Sequence, residues 1–190
     1  MKINEFHQEL SRITASREDR LKYANLVLNN MSLFPKLLEI SFMVDDKTSC
    51  RAAWVFEFVC EKYIYAIIPY LDTFTENLKR LHLDSAIRPM AKVCWFLLNA
   101  YNSKEPNTLK KTLQPKHKER IVEACFDWLI GNQKIAAKVY AMDNLYILGL
   151  DYPWVHPQLI QILEQDFPTQ SAGYKVRAKR ILKKLKSASS

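Results

Sequence analysis

Carboxylates set among apolar neighbours are natural candidates for acid–base chemistry, because burial raises a carboxyl pKa toward neutrality. Glu57, Glu61 and Asp143 lie in such runs, with the bases Arg51, Lys62 and Lys138 near them in sequence. Ion pairing to those bases is the expected use of the acids, ahead of catalysis. The histidines His7, His82, His117 and His156 stand alone, with no HExxH and no second ligand at i,i+4. They read as surface or capping residues at helix ends. Cys50, Cys60, Cys94 and Cys125 form neither a CxxC nor a Cys/His set with zinc spacing. Each sits in an apolar run, as expected of buried, reduced thiols. Gly131, Gly149 and Gly173 are too dispersed for a phosphate-cradling loop, and no GxSxG elbow occurs. The sequence thus offers no catalytic, cofactor or metal site, and the chain reads as non-enzymatic.

Charge is more informative. The net charge is +8, and the stretch from Tyr174 to Ser190 carries Lys175, Arg177, Lys179, Arg180, Lys183, Lys184 and Lys186 with no acid. The rest of the chain is close to neutral, so any partner of this stretch would be acidic. A second group of bases, Lys104, Lys110, Lys111, Lys116 and Lys118, falls in or beside a polar connection at 102–117. The first nine residues hold acids and no apolar run, unlike a secretory leader. The longest apolar stretch, Ile64 to Leu71, is too short to span a membrane and contains Pro69. A cytoplasmic location is the resulting expectation.

These residues need elements to hold them. Among 190 residues, 48% are hydrophobic and only 3 are Gly, which favours one packed core with few tight hairpins. Apolar residues recur at helical spacing almost throughout. Ser16 with Asp19 three residues on predicts a capped helix start, and Pro35, Pro69 and Pro157 predict first turns. Pro89 is tolerable only near the start of its helix. Gly131 and Gly149 are expected to close helices in the left-handed conformation. Ten helices and no strand follow: an all-α domain over 1–190, with hairpins at about 3–30, 33–63, 67–101, 118–148 and 157–186.

The second helices of the last four hairpins begin alike: Arg51-Ala52-Ala53-Trp54, Lys92-Val93-Cys94-Trp95, Lys138-Val139-Tyr140-Ala141 and Lys175-Val176-Arg177-Ala178. The unit is roughly forty residues of two helices each. Pro35, Asp45 and Arg51 follow the order of a HEAT unit, in which a Pro in the first helix and an Asp in the turn precede a Val-Arg pair. Pro69, Asp84 and Arg88 follow it more loosely. From residue 20 to 186 the chain resembles the HEAT/armadillo class of helical repeats, which implies a right-handed alpha-alpha superhelix of about five hairpins. It also resembles short helical chains that carry the name adenylosuccinate lyase. The catalytic loop of that enzyme family reads Ser-Ser-x-Met-Pro-x-Lys-x-Asn. The nearest segment here, Arg88-Pro89-Met90-Ala91-Lys92, lacks both serines and reverses Met-Pro, so the lyase activity is not expected.

Helices apolar on nearly every side must be covered on several sides. A stack of helix pairs does this, and its inner helices line a groove suited to an extended peptide or a partner's helix. The expected function is therefore a scaffold for a protein or peptide partner, with Arg51, Trp54, Arg88, Lys92, Trp95 and Lys138 as contacts. The alternative is nucleic-acid binding through Lys175, Lys179, Arg180, Lys183 and Lys184 with the lysine-rich insert, as in HEAT-like proteins that hold DNA on a basic concave face. The basic last helix also has a plain explanation as the solvated cap of the final repeat.

Overall fold

The computed structural model describes residues 1–188; Ser189 and Ser190, the end of the basic stretch, lie outside the described residues. The described chain is all-helical. Its α-helices are α1 (Ile3–Ser11), α2 (Arg17–Asn29), α3 (Phe34–Ser41), α4 (Thr48–Lys62), α5 (Leu71–Asn77), α6 (Asp84–Tyr101), α7 (Leu109–Thr112), α8 (Pro115–Ile130), α9 (Ile135–Leu148), α10 (Val155–Asp166) and α11 (Ala172–Ala188). Short 3-10 turns lie at Met31–Leu33, Ile64–Tyr70 and Leu78–Arg80.

Five helices make a central row in which each touches the next: α2 on α4, α4 on α6, α6 on α9, and α9 on α11. The remaining long helices cover that row, α3 against α4, α8 against α9, and α10 against α9 and α11. Helix α4 shows why the row must be covered. Ala52, Ala53, Val55, Phe56, Phe58, Val59 and Cys60 are all buried, and they point in most directions around the axis. The buried apolar side chains form one cluster running from Phe6 to Leu185. Within it Phe34, Phe56, Phe74 and Phe42 join α3, α4 and α5, with successive ring centroids 5.3, 5.9 and 6.1 Å apart.

Several local expectations change form. The Ser16 hydroxyl does cap α2, accepting from the Asp19 amide at 3.1 Å. The Asp19 carboxylate, however, accepts from the Thr14 amide at 3.0 Å rather than from Ser16. Pro69 does not open a helix. It lies inside the 3-10 segment Ile64–Tyr70, since its missing N–H cannot extend an α ladder, and α5 starts after it. The polar connection is not simply a loop: it contains α7 and buries Leu109 and Leu113, and α8 begins at Pro115 rather than Lys118.

Neither helix-closing glycine is left-handed. Gly131 is extended and Gly149 has φ −63° and ψ −14°, with no positive φ among the described residues. Gly149 is required by close approach instead. A Cβ there would lie 1.9 Å from the His156 ring, which stacks on Tyr146 at 5.8 Å and hydrogen-bonds its carbonyl oxygen at 2.9 Å.

His117 is buried, not superficial. Its Nδ1 accepts from the Gln114 amide at 3.1 Å, and Nε2 meets Asp72 Oδ1 at 3.0 Å. Asp72 of α5 thereby gathers Lys116, His117 and Arg120 of α8. The hydrogen bonds from Lys116 and His117 hold its carboxyl at a pKa of about 2, below the ordinary 3.8.

Two outcomes follow. Gly149→Ala should lower stability by about 1–3 kcal/mol in urea unfolding, and most of that loss should vanish in a His156→Ala background. A carboxylate with a depressed folded pKa stabilises above its unfolded pKa and loses that contribution as pH falls. Wild type should therefore lose thermal stability between about pH 4 and about pH 2 more steeply than Asp72→Asn, measured by circular dichroism melts.

Candidate functional site

The central row presents one face that is not covered by another helix. On α6 its side chains are Arg88, Lys92, Trp95 and Asn99, spaced i, i+4, i+7 and i+11 and therefore stacked on one side of the helix. All four are exposed or half-buried, within a helix whose other faces are buried.

Beneath the stripe lies Glu57 of α4, its side chain only 3% exposed. One carboxylate oxygen accepts from Arg88 Nη2 at 2.7 Å and the other from Lys92 Nζ at 2.9 Å. Lys92 also lies 3.7 Å from Glu61. Burial disfavours the charged form of Lys92, but the hydrogen bond and charge of Glu57 outweigh it, and its pKa is raised. Two cations thus face two carboxylates, the buried Glu57 and the more exposed Glu61, so this end of the stripe is balanced in formal charge and offers fixed N–H donors. The inner-helix acids thus pair as expected, but across helices, not with Arg51, Lys62 or Lys138.

Two depressions flank this stripe. The first, about 410 Å³, lies at the N-terminal ends of α4, α6 and α9 and is lined by Arg20, Trp54, Asp84, Ser85, Arg88 and Lys134 among others. Side chain-to-backbone bonds knit its rim. Arg51 Nε donates to the Ile13 carbonyl at 3.0 Å, the Trp54 indole N–H to the Ser85 carbonyl at 2.9 Å, and the Lys134 amide to Asp84 Oδ1 at 2.9 Å. The Trp54 bond has a specific cause. Pro89 sits in the second turn of α6 and has no N–H for the carbonyl four residues back, that of Ser85. Trp54 supplies the missing donor.

The second depression, about 350 Å³, lies between α6, α9 and α11, with Trp95, Asn99, Asp143, Tyr146, Arg177, Arg180 and Lys184 on its walls. Arg177 Nη1 contacts Asp143 Oδ2 at 2.9 Å and Oδ1 at 3.2 Å. Burial raises the Asp143 pKa, and the charges of Arg177, Arg180 and Lys184 offset only part of that shift. Lys184 Nζ stands 5.0 Å from the centroid of the Tyr146 ring.

No family model, curated protein or solved structure matches this chain. Geometry alone therefore carries the assignment. It brings together Arg88, Lys92 and Trp95 on one stripe, with Trp54 beside them at the first depression. Arg51 is half-buried and committed to Ile13. Lys138 is 7% exposed, on the side of α9 turned about 140° from Asp143 at 100° per residue, so the aligned bases do not form one accessible ladder. Asn99, Tyr146 and Arg20 belong to this face without being among the expected contacts, and Arg177, one of the seven bases of the last helix, joins them.

The bases proposed for nucleic acid divide. Lys175 donates to the Pro168 carbonyl at 3.1 Å; Arg180 and Lys184 line the second depression; Lys179 and Lys183 line a different groove with Phe167 and Leu182. In the insert region, Lys110 donates to the Ser103 carbonyl, Lys116 pairs with Asp72, and Lys118 is bonded to Asp151 and Tyr101. All four cysteines are unpaired, and burial pushes the Cys125 thiol up to about 12 and those of Cys60 and Cys94 well above the usual value. Among the described residues no group of three or more His, Cys, Asp or Glu is placed to hold a metal ion, and no helix is long and apolar enough to cross a membrane.

Glu57→Gln keeps the shape of the buried side chain but removes its charge. It should cost about 1–3 kcal/mol in urea unfolding, less than a fully buried broken pair because Arg88 and Lys92 can turn to water. Glu61→Gln, at the exposed 3.7 Å contact, should stay within about 0.5 kcal/mol of wild type.

Proposed function

We propose that the chain is a non-enzymatic helical-repeat scaffold that holds an acidic, extended peptide segment of a protein partner along the central row. In this reading the five hairpins form a right-handed superhelix of the HEAT/armadillo kind, and the row α2–α4–α6–α9–α11 lines its concave side.

The observation that carries the reading is the stripe Arg88-Lys92-Trp95-Asn99 with a depression at either end. From residue 88 to residue 99 the helix rises about 16 Å, the length of about five residues of extended chain. The stripe offers a cationic head at Arg88 and Lys92, held in place by Glu57, and an aromatic anchor at Trp95. A partner carboxylate would meet Arg88 and Lys92 donors whose geometry Glu57 already fixes, displacing the loose 3.7 Å contact of Glu61, which lowers the ordering cost of binding. Nucleic-acid binding is the weaker reading, because three of the five bases of the insert region are already engaged within the chain and those of α11 face two different grooves. Phosphate contacts need many bases on one continuous path.

Selection of a displayed random peptide library against the intact chain tests this. Asp- and Glu-rich extended peptides should be enriched, and Arg88→Ala and Trp95→Ala should each weaken a selected peptide by about tenfold in fluorescence anisotropy. Binders indifferent to both variants would sink the proposal. Tight binding of duplex or single-stranded DNA that falls about a thousandfold between 50 and 200 mM salt would favour the nucleic-acid reading instead.

A further inference from the structure

The second depression has a composition that a peptide groove does not require. Three bases of one helix, Arg177, Arg180 and Lys184, converge on it at i, i+3 and i+7 spacing, and they face a single acid, Asp143. Arg177 is committed to that acid through both carboxylate oxygens. Arg180 has no hydrogen-bond or ion-pair partner among the described residues, and Lys184 lies over Tyr146. The pocket therefore keeps two cations without a salt-bridge partner among the described residues within a concave wall, where charge attracts anions more strongly than on an open surface.

Its other walls are planar. Trp95 and Tyr146 both line the space; Trp95 is held edge-on by Phe96 and Tyr140, with centroids at 5.6 and 6.5 Å, whereas Tyr146 already has His156 stacked on it and Lys184 over it, so Trp95 is the ring left for stacking. The remaining polar atoms include two acceptors. Asn99 places one amide N–H on the Trp95 carbonyl at 2.7 Å, which leaves its second N–H and its oxygen, and Asp143 adds its carboxylate. A volume of about 350 Å³ is at the small end of ligand pockets, which run from about 300 to about 1,000 Å³.

We infer that this pocket between α6, α9 and α11 binds a nucleoside monophosphate, with the phosphate on Arg180 and Lys184 and the base against Trp95. Each half of the ligand answers one half of the wall. A phosphate monoester matches an Arg and a Lys side by side. A flat ring matches Trp95, and its amino hydrogens match the acceptors of Asn99 and Asp143, which a plain phenyl ring would leave without a donor. The space is too small for a dinucleotide. The two sites share Trp95 and Asn99, but this inference does not depend on the peptide reading, because Arg180 and Lys184 lie outside the Arg88–Lys92 head.

AMP titrated into the intact chain by calorimetry is the test, with adenosine and inorganic phosphate as the two halves of the ligand. AMP should bind at one site, and each half should bind at least about tenfold more weakly. Arg180→Ala with Lys184→Ala should weaken AMP by about tenfold or more, whereas Lys179→Ala with Lys183→Ala, on the other groove of α11, should change it by less than about twofold. All four are exposed side chains, and melts within about 2 °C of wild type would show both variants folded. Arg180→Gln with Lys184→Gln serves if the alanine pair fails to fold. No AMP binding at millimolar concentration, equal binding of inorganic phosphate, or an unchanged affinity in the Arg180/Lys184 variants would overturn the inference. Arg88→Ala should leave AMP binding intact, so loss of the peptide site and loss of this one are read separately.

Discussion

The three middle helices of the central row, α4, α6 and α9, are apolar on so many sides that none can stand at the surface of a bundle. α4, α6 and α9 each need two neighbours in the row and a cover from outside it, and the contacts supply them. That requirement sets the order of everything else. It forces successive pairs to lie side by side and leaves little of α4, α6 and α9 open to solvent, so the few polar groups of these three helices gather on their open strips. Glu57 and Asp143 are the two acids caught deepest in this arrangement, and each is answered by bases of the next helix along the row. The polar stripe is thus a by-product of how the apolar faces are sealed.

Much of this was legible in the residues. Helical periodicity, scarce glycine and the cap at Ser16 depend on neighbours within a turn or two, and the structure keeps them. The amphipathic last helix was also readable, with Tyr174, Ala178, Ile181 and Leu185 buried and the bases outside. What escaped were interactions across long sequence separations. Nothing near Gly149 in sequence announces that the His156 ring will occupy the place of its Cβ, so a left-handed turn was the natural but mistaken inference. Pro69 reads as a helix opener because the rule for proline is local, yet the segment around it settles into 3-10 geometry.

The site was legible in the same uneven way. Arg88, Lys92 and Trp95 share a face by their spacing alone, and the structure leaves that face open. Lys138 was grouped with them by repeat alignment, but alignment fixes the position along a helix and not the rotation about its axis, and Lys138 turns inward. Acids and bases were expected to pair within a helix, whereas they pair between helices thirty or more residues apart in sequence. The carbonyl orphaned by Pro89 could be foreseen from the sequence; that Trp54 would reach it could not.

The position of α11 carries one more consequence. Among the described residues it stands at the end of the row, with α9 and α10 beside it and no further helix pair beyond to oppose local opening. Its bases form one whole wall of the second depression. Any anion that settles there bridges α11 to α9, so occupancy and the order of this terminal helix are reciprocally linked, each favouring the other. Amide hydrogens of α11 would then exchange more slowly in the liganded protein, while those of α4, deep in the stack, keep their rate.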